Sequence, residues 1–145
     1  MKSKSIYNCT APEEYIKECI LNDSDRNISK YDLQKIASEK EIHIRTAASK
    51  QEIVDVLAEK ISYRTLAGYL SIGVPSIVMQ RRFHITNEIT RFLAEKGLFH
   101  IVGKQEFFNS SGQKCMANLY DIYDYYELDI SDIISMLYKF AKAAD

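Results

Sequence analysis

Between Arg81 and Lys114 the chain carries six cations, Arg81, Arg82, Arg91, Lys96, Lys104 and Lys114, against three acids, Glu88, Glu95 and Glu106. Cations gathered in this way are the groups that neutralise phosphates. Thr86, Asn87 and Thr90 place hydrogen-bonding side chains among them. From Cys115 to Asp145 the balance reverses, with Lys139 and Lys142 against Asp121, Asp124, Glu127, Asp129, Asp132 and Asp145. There the run "YDIYDYYELD", residues 120–129, interleaves tyrosines with carboxylates. Such a surface repels nucleic acid but attracts a basic groove, so Tyr120, Asp121, Asp124, Glu127 and Asp129 are candidate residues for binding a protein partner. The tyrosines themselves are expected half-buried on a sheet or at an interface.

Other chemistries find little support. A net charge of −1 over 145 residues argues against holding nucleic acid by bulk electrostatics, so any such contact must be local. Cys9, Cys19 and Cys115 are widely spaced and form no Cys-x-x-Cys pair, and His43, His84 and His100 are scattered, so no metal is expected. Neither a nucleophile and base set nor a glycine-rich phosphate loop can be assembled, and the chain has only five glycines. A protein without enzymatic activity and without a cofactor is the expectation. No apolar run reaches the roughly 18 residues of a membrane span and no signal segment follows Met1, which predicts a cytoplasmic protein with no membrane partner.

The elements that would position these residues follow from periodicity and punctuation. Residues 1–10 lack a pattern and are expected frayed. Thr10, Pro12 and the acids Glu13 and Glu14 open a helix over about 11–22. Ser29 with Asp32, and Ser49 with Glu52, are capping boxes for two further helices, with a short extended loop at 41–48 between them. Leu33, Ile36, Ile53 and Leu57 are their predicted buried positions. Tyr63 to Ile72 reads as a short helix ended by Gly73, Pro75 marks the start of the next, and Thr86 caps a third running from Asn87 to about Lys96, stopped by Gly97. In that third helix Ile89, Phe92 and Leu93 share one face, leaving Asn87, Glu88, Thr90, Arg91 and Glu95 on the other. Strand-like residues 98–108, a turn at 109–112 and a returning strand at 113–123 predict a hairpin. An apolar helix from about Ile130, capped by Asp129 or Ser131, closes the chain.

Two resemblances appear on these residues. "SKYDLQKIASEKEIHIRTAASKQEIVDVLAEKI", residues 29–61, resembles the helix, extended loop, helix modules of SAP domains and of the Rho termination factor N-terminus, families that often touch nucleic acid. "SIVMQRRFHITNEITRFLAEKGLF", residues 76–99, resembles winged helix-turn-helix DNA readers, especially the gamma domain of FtsK-type translocases, in the order Gln80-Arg81-Arg82-Phe83, Ile85, Asn87, Arg91 and Glu95-Lys96-Gly97-Leu98. The second resemblance implies that Arg81 and Arg82 approach phosphates while Thr86, Asn87, Thr90 and Arg91 face base edges, with Lys104 and Lys114 on the hairpin wing.

The expected architecture is mainly α with a small β-hairpin (α+β): an N-terminal helical module over 1–61 and a winged-helix domain over 62–145. The leading expectation is a DNA-binding regulator of bacterial or mobile-element type that takes double-stranded DNA and can form a homodimer through its C-terminal helix. The alternative is a phage-encoded inhibitor of a host nuclease, of the anti-CRISPR kind, in which segment 120–132 mimics nucleic acid and docks on a host nucleic-acid-binding protein.

Overall fold

A computed structural model describes residues 4–143 of the chain; Met1 to Ser3, Ala144 and Asp145 lie outside the described residues. The fold is mainly α-helical with a small three-stranded antiparallel sheet. It divides into two compact units after Ile72.

The first unit begins with a 3-10 turn at Ile6–Asn8 and continues through α1 (Pro12–Leu21), α2 (Lys30–Glu39), α3 (Lys50–Ile61) and α4 (Tyr63–Tyr69). Within the stretch expected frayed, Ile6 and Cys9 are buried; the expectation for residues 1–3 falls outside the described residues. Pro12 occupies the first turn of α1, where a missing N–H costs nothing. Thr10 is not its cap; the Thr10 N–H donates to the Glu14 carboxylate at 3.1 Å. Ser29 and Asp32 form the full capping box at α2. At α3 only half a box forms: Ser49 accepts the Glu52 N–H, but the Glu52 carboxylate is held by the Arg45 guanidinium at 2.8 Å. Leu33, Ile36, Ile53 and Leu57 are all buried, and residues 42–48 between α2 and α3 form no helix or strand.

The end of the first unit corrects the expected boundary at residue 61. Ser62 stands at φ 77° as C-cap of α3 and N-cap of α4, turning a corner rather than opening a linker. Beyond it α4 packs on α1 and α3 and buries Leu66 and Ala67, so this helix belongs to the first unit. It also ends at Tyr69, earlier than Gly73 suggested, through a turn with Ser71 at φ 54°.

The second unit runs β1 (Val74–Pro75), α5 (Ser76–Phe83), α6 (Asn87–Glu95), β2 (Ile101–Phe108), β3 (Lys114–Tyr120), α7 (Ile122–Glu127) and α8 (Ile130–Ala143). The sheet order is β1-β3-β2. The hairpin was legible, but β1 was not: it is two residues long and includes Pro75, which lacks a ladder donor and is tolerated at a sheet edge. Gly73 precedes it because a Cβ there would lie 2.8 Å from Val102 Cγ2 and 2.9 Å from Leu119 Cβ. The hairpin turn is held by the Asn109 side chain, whose Oδ1 accepts the N–H groups of Ser111 and Gln113, both at 2.9 Å. The returning strand stops at Tyr120, not at residue 123, because Asp121 caps α7 by accepting the Tyr123 N–H at 2.8 Å. Asp129 caps α8, and its own N–H donates to Asp132 at 2.9 Å. Phe140 of α8 meets Phe92 of α6 edge to face at 5.6 Å, with the Lys96 ammonium 5.0 Å from the Phe140 ring, which docks α8 against α6. No helix among the described residues is long and apolar enough to cross a membrane.

Candidate nucleic-acid interface

Helices α5 and α6 meet at a tight corner. His84 adopts a left-handed conformation at φ 56° to end α5, and Thr86 accepts the Ile89 N–H at 3.2 Å to start α6. Gly97, at φ 87°, takes the position past the last turn that favours glycine. Leu93 anchors α6 in the core, and Asn87 and Arg91 lie exposed on its opposite side, as the periodicity predicts. Thr90 does not join them. It is completely buried and its hydroxyl donates to the Thr86 carbonyl at 2.8 Å, so it cannot meet a base edge.

The two arginines of α5 have different roles. Arg81 is exposed. Arg82 turns inward: its guanidinium donates to the carbonyls of Tyr125 at 3.2 Å and Leu128 at 3.0 Å, and it lies 4.7 Å from the Phe83 ring. Arg82 therefore ties α5 to the end of α7 instead of approaching a phosphate. On the hairpin, Lys104 is exposed opposite Asn118, and Lys114 is exposed but ion-paired with Glu106 at 2.9 Å. An exposed pair of this kind is worth about 0–1 kcal/mol, so Lys114 can be drawn off it by a stronger anion.

Between the helix pair and the sheet lies a groove of about 450 Å³. Asn87 and Arg91 line it from α6, Ile77 and Gln80 from α5. The strands add Gln105, Phe107, Met116 and Asn118. Its lining includes exposed apolar surface, with Ile77 51 %, Phe107 45 % and Met116 54 % accessible, yet no carboxylate lines it. The Ser76 hydroxyl bridges Gln80 and Asn87 at 3.1 and 3.2 Å, fixing the amides at the helix side of the groove. Sequence reasoning found Asn87 and Arg91 but missed the others. Strand residues such as Gln105 and Phe107, two apart and so on one face of β2, carry no local signal for lining a groove with a helix pair.

The acidic segment is rearranged. Tyr120 is buried and stacks edge to face on Phe99 at 6.0 Å, and Asp121 and Asp124 are buried as well. Of the expected partner-binding residues, Glu127 and Asp129 remain exposed, and Asp129 serves as a helix cap. Asp124 clasps His100, accepting its backbone N–H at 2.7 Å and approaching its Nδ1 at 3.0 Å. His100, Asp121 and Asp124 bring one ligand-type atom each within 4.8 Å of one another, the grouping among the described residues that could hold a metal ion. Both carboxylates already accept backbone N–H groups, which accounts for them as a clasp between the start of the hairpin and α7.

Burial, reinforced by neighbouring Asp121, pushes the Asp124 carboxyl above its ordinary value despite the bonds from His100. The folded state therefore keeps this proton to higher pH than the unfolded chain does, and stability falls as pH rises from the unfolded towards the folded pKa. Urea unfolding of the parent and of Asp124→Asn across the acidic range is expected to show that slope in the parent relative to the variant. A parent that gains stability over the variant in that window contradicts it.

No protein-family model matches the chain, and neither curated proteins nor solved structures yield a match.

Proposed function

We propose that this protein is a non-enzymatic DNA-binding regulator, of bacterial or mobile-element type, whose second unit is a winged helix-turn-helix. The observation that carries this reading is the order β1, α5, corner, α6, hairpin, with the sheet ordered β1-β3-β2 and Asn87 and Arg91 exposed on α6 beside that hairpin. In this reading α6 enters the major groove, about 12 Å wide, and the β2–β3 hairpin flanks the backbone. Arg81, Lys104 and Lys114 meet phosphates, and Asn87 and Arg91 meet base edges. Arg82 and Thr90, though in the right stretch, only build the fold.

A second copy of the chain would double the few cations available. Helix α8 offers the surface for it: Ile130, Ile134 and Tyr138 recur at intervals of four and are 41, 60 and 68 % exposed. Acids at its start, Asp129 and Asp132, and Lys139 near its end favour antiparallel pairing of two such helices. The inhibitor reading retains less support, since Asp121 and Asp124 of its acidic face are buried.

Fluorescence anisotropy with labelled duplexes tests the proposal. Arg81→Ala is expected to weaken binding equally across sequences and to lower the salt slope by about 0.9 for one lost phosphate contact. Arg91→Ala is expected to relax preference at particular base pairs by about 1–3 kcal/mol. Two chains per duplex is the expected stoichiometry. A parent protein that binds no duplex at low salt overturns the reading.

A further inference from the structure

We infer that the groove between α5, α6 and the hairpin holds one unpaired nucleobase of a bound DNA strand, so that the protein prefers DNA with an unpaired base over perfect duplex. This rests on the DNA-binding reading above and deepens it.

The groove's chemistry is that of a nucleobase seen from outside. A base has two apolar faces, a rim of hydrogen-bond donors and acceptors, and a phosphate close by. Phe107 on β2 and Ile77 on α5 supply apolar surface for the faces. Gln80 and Asn87 from the helices and Gln105 from β2, on the same strand face as Phe107, supply amides, each both donor and acceptor, for the rim. Arg91 supplies the one cation, for the phosphate or for a purine edge. In a chain with 20 acids in 145 residues, a groove of this size lined by an arginine and no carboxylate is matched to an anionic ligand. Its volume of about 450 Å³ falls in the range of small-ligand sites, room for a base together with its sugar and phosphate.

The position agrees with this use. Asn87 and Arg91 belong to the exposed side of α6, so the groove opens where the DNA strand would pass between helix and hairpin. Paired bases are stacked inside the duplex and cannot reach it, whereas a bulged base is already free of its partner and enters at little cost. Stacking on an aromatic ring is tolerant of base identity. On a bulged DNA Asn87 and Arg91 serve the base in the groove, and on perfect duplex the same two residues read base edges.

The test compares three labelled DNAs of one sequence: perfect duplex, the same duplex with one bulged thymine, and single strand. A further probe carries 2-aminopurine at the bulge. The parent is expected to bind the bulged duplex about tenfold more tightly than the perfect one, with the 2-aminopurine emission quenched on binding. Phe107→Leu, which keeps apolar bulk but removes the ring, is expected to abolish that preference and the quenching while leaving perfect-duplex affinity within twofold. Excess free nucleoside monophosphate is expected not to displace the bulged duplex. Equal binding of bulged and perfect duplexes by the parent overturns the inference and leaves the DNA-binding reading standing. Displacement by the free nucleotide assigns the groove to a soluble ligand and also overturns it. Failure to bind any of the three DNAs removes both.

Discussion

Leu57→Ala is expected to destabilise the first unit by about 2–5 kcal/mol, the range for truncating a fully buried leucine. Leu57 sits on α3 with no accessible surface, on the helix that packs against α1, α2 and α4. Removing its isobutyl group therefore opens a void at the centre of the unit rather than at its rim. Of those neighbours α4 is joined to α3 directly at the Ser62 corner, which limits how far it can collapse into the space. For a unit of this size the melting temperature should drop by roughly 10 °C or more. Thermal denaturation followed by circular dichroism measures it. Gln51→Ala, at an exposed position on the same helix, should stay within about 0.5 kcal/mol of the parent. A Leu57→Ala protein that melts with the parent would mean that the packing of α3 is not what holds the four helices together.

Arg82→Ala carries the second large effect, and it separates a structural arginine from a DNA-binding one. The Arg82 guanidinium satisfies the carbonyls of Tyr125 and Leu128, which lie in the last turn of α7 and at its C-cap, where a helix has no partners of its own. Hydrogen bonds to a charged group are worth about 1.5–3 kcal/mol each, and the site is half-buried, so a total of about 2–4 kcal/mol is expected for the pair. Arg82→Lys restores the charge but not the planar fork that reaches two carbonyls at once, and should recover less than half of the loss. Hydrogen exchange resolves the effect locally: amides of α7 and the start of α8 should exchange faster in Arg82→Ala, while those of α2 and α3 are unchanged. A variant with parental exchange but weaker DNA affinity would return Arg82 to the phosphate-contact role that its place in the sequence implies.

These two residues mark how far the sequence could be read. Leu57 was legible because a helix places positions three and four apart on one face, so Ile53 and Leu57 had to share a side whatever they packed against. Two caps were legible for the same reason, Ser29 with Asp32 satisfying each other's turn within four residues and Thr86 starting α6 without help from elsewhere, whereas Thr10 and half of the Ser49 box were not. The hairpin followed from its alternation and from Asn109 and Gly112 in its turn.

What depended on distant parts of the chain was not legible. Arg82 turns inward because carbonyls more than forty positions later need donors, and nothing beside Arg82 announces them. Thr90 reads as polar and outward, but its hydroxyl is satisfied by its own helix at Thr86, which lets it be buried without loss. Asp121 and Asp124 read as part of an acidic surface and instead become a cap and a clasp, because backbone N–H groups at Tyr123 and His100 accept burial only when paired. The corner at Ser62 looks like a boundary until α4 is seen packed on α1 and α3. Local periodicity and capping, decided within a few residues, determined the elements. Which polar groups are hidden, which helix joins which unit, and which amides meet across the groove were decided by the tertiary structure, since burial and hydrogen-bond pairing are properties of neighbours in space.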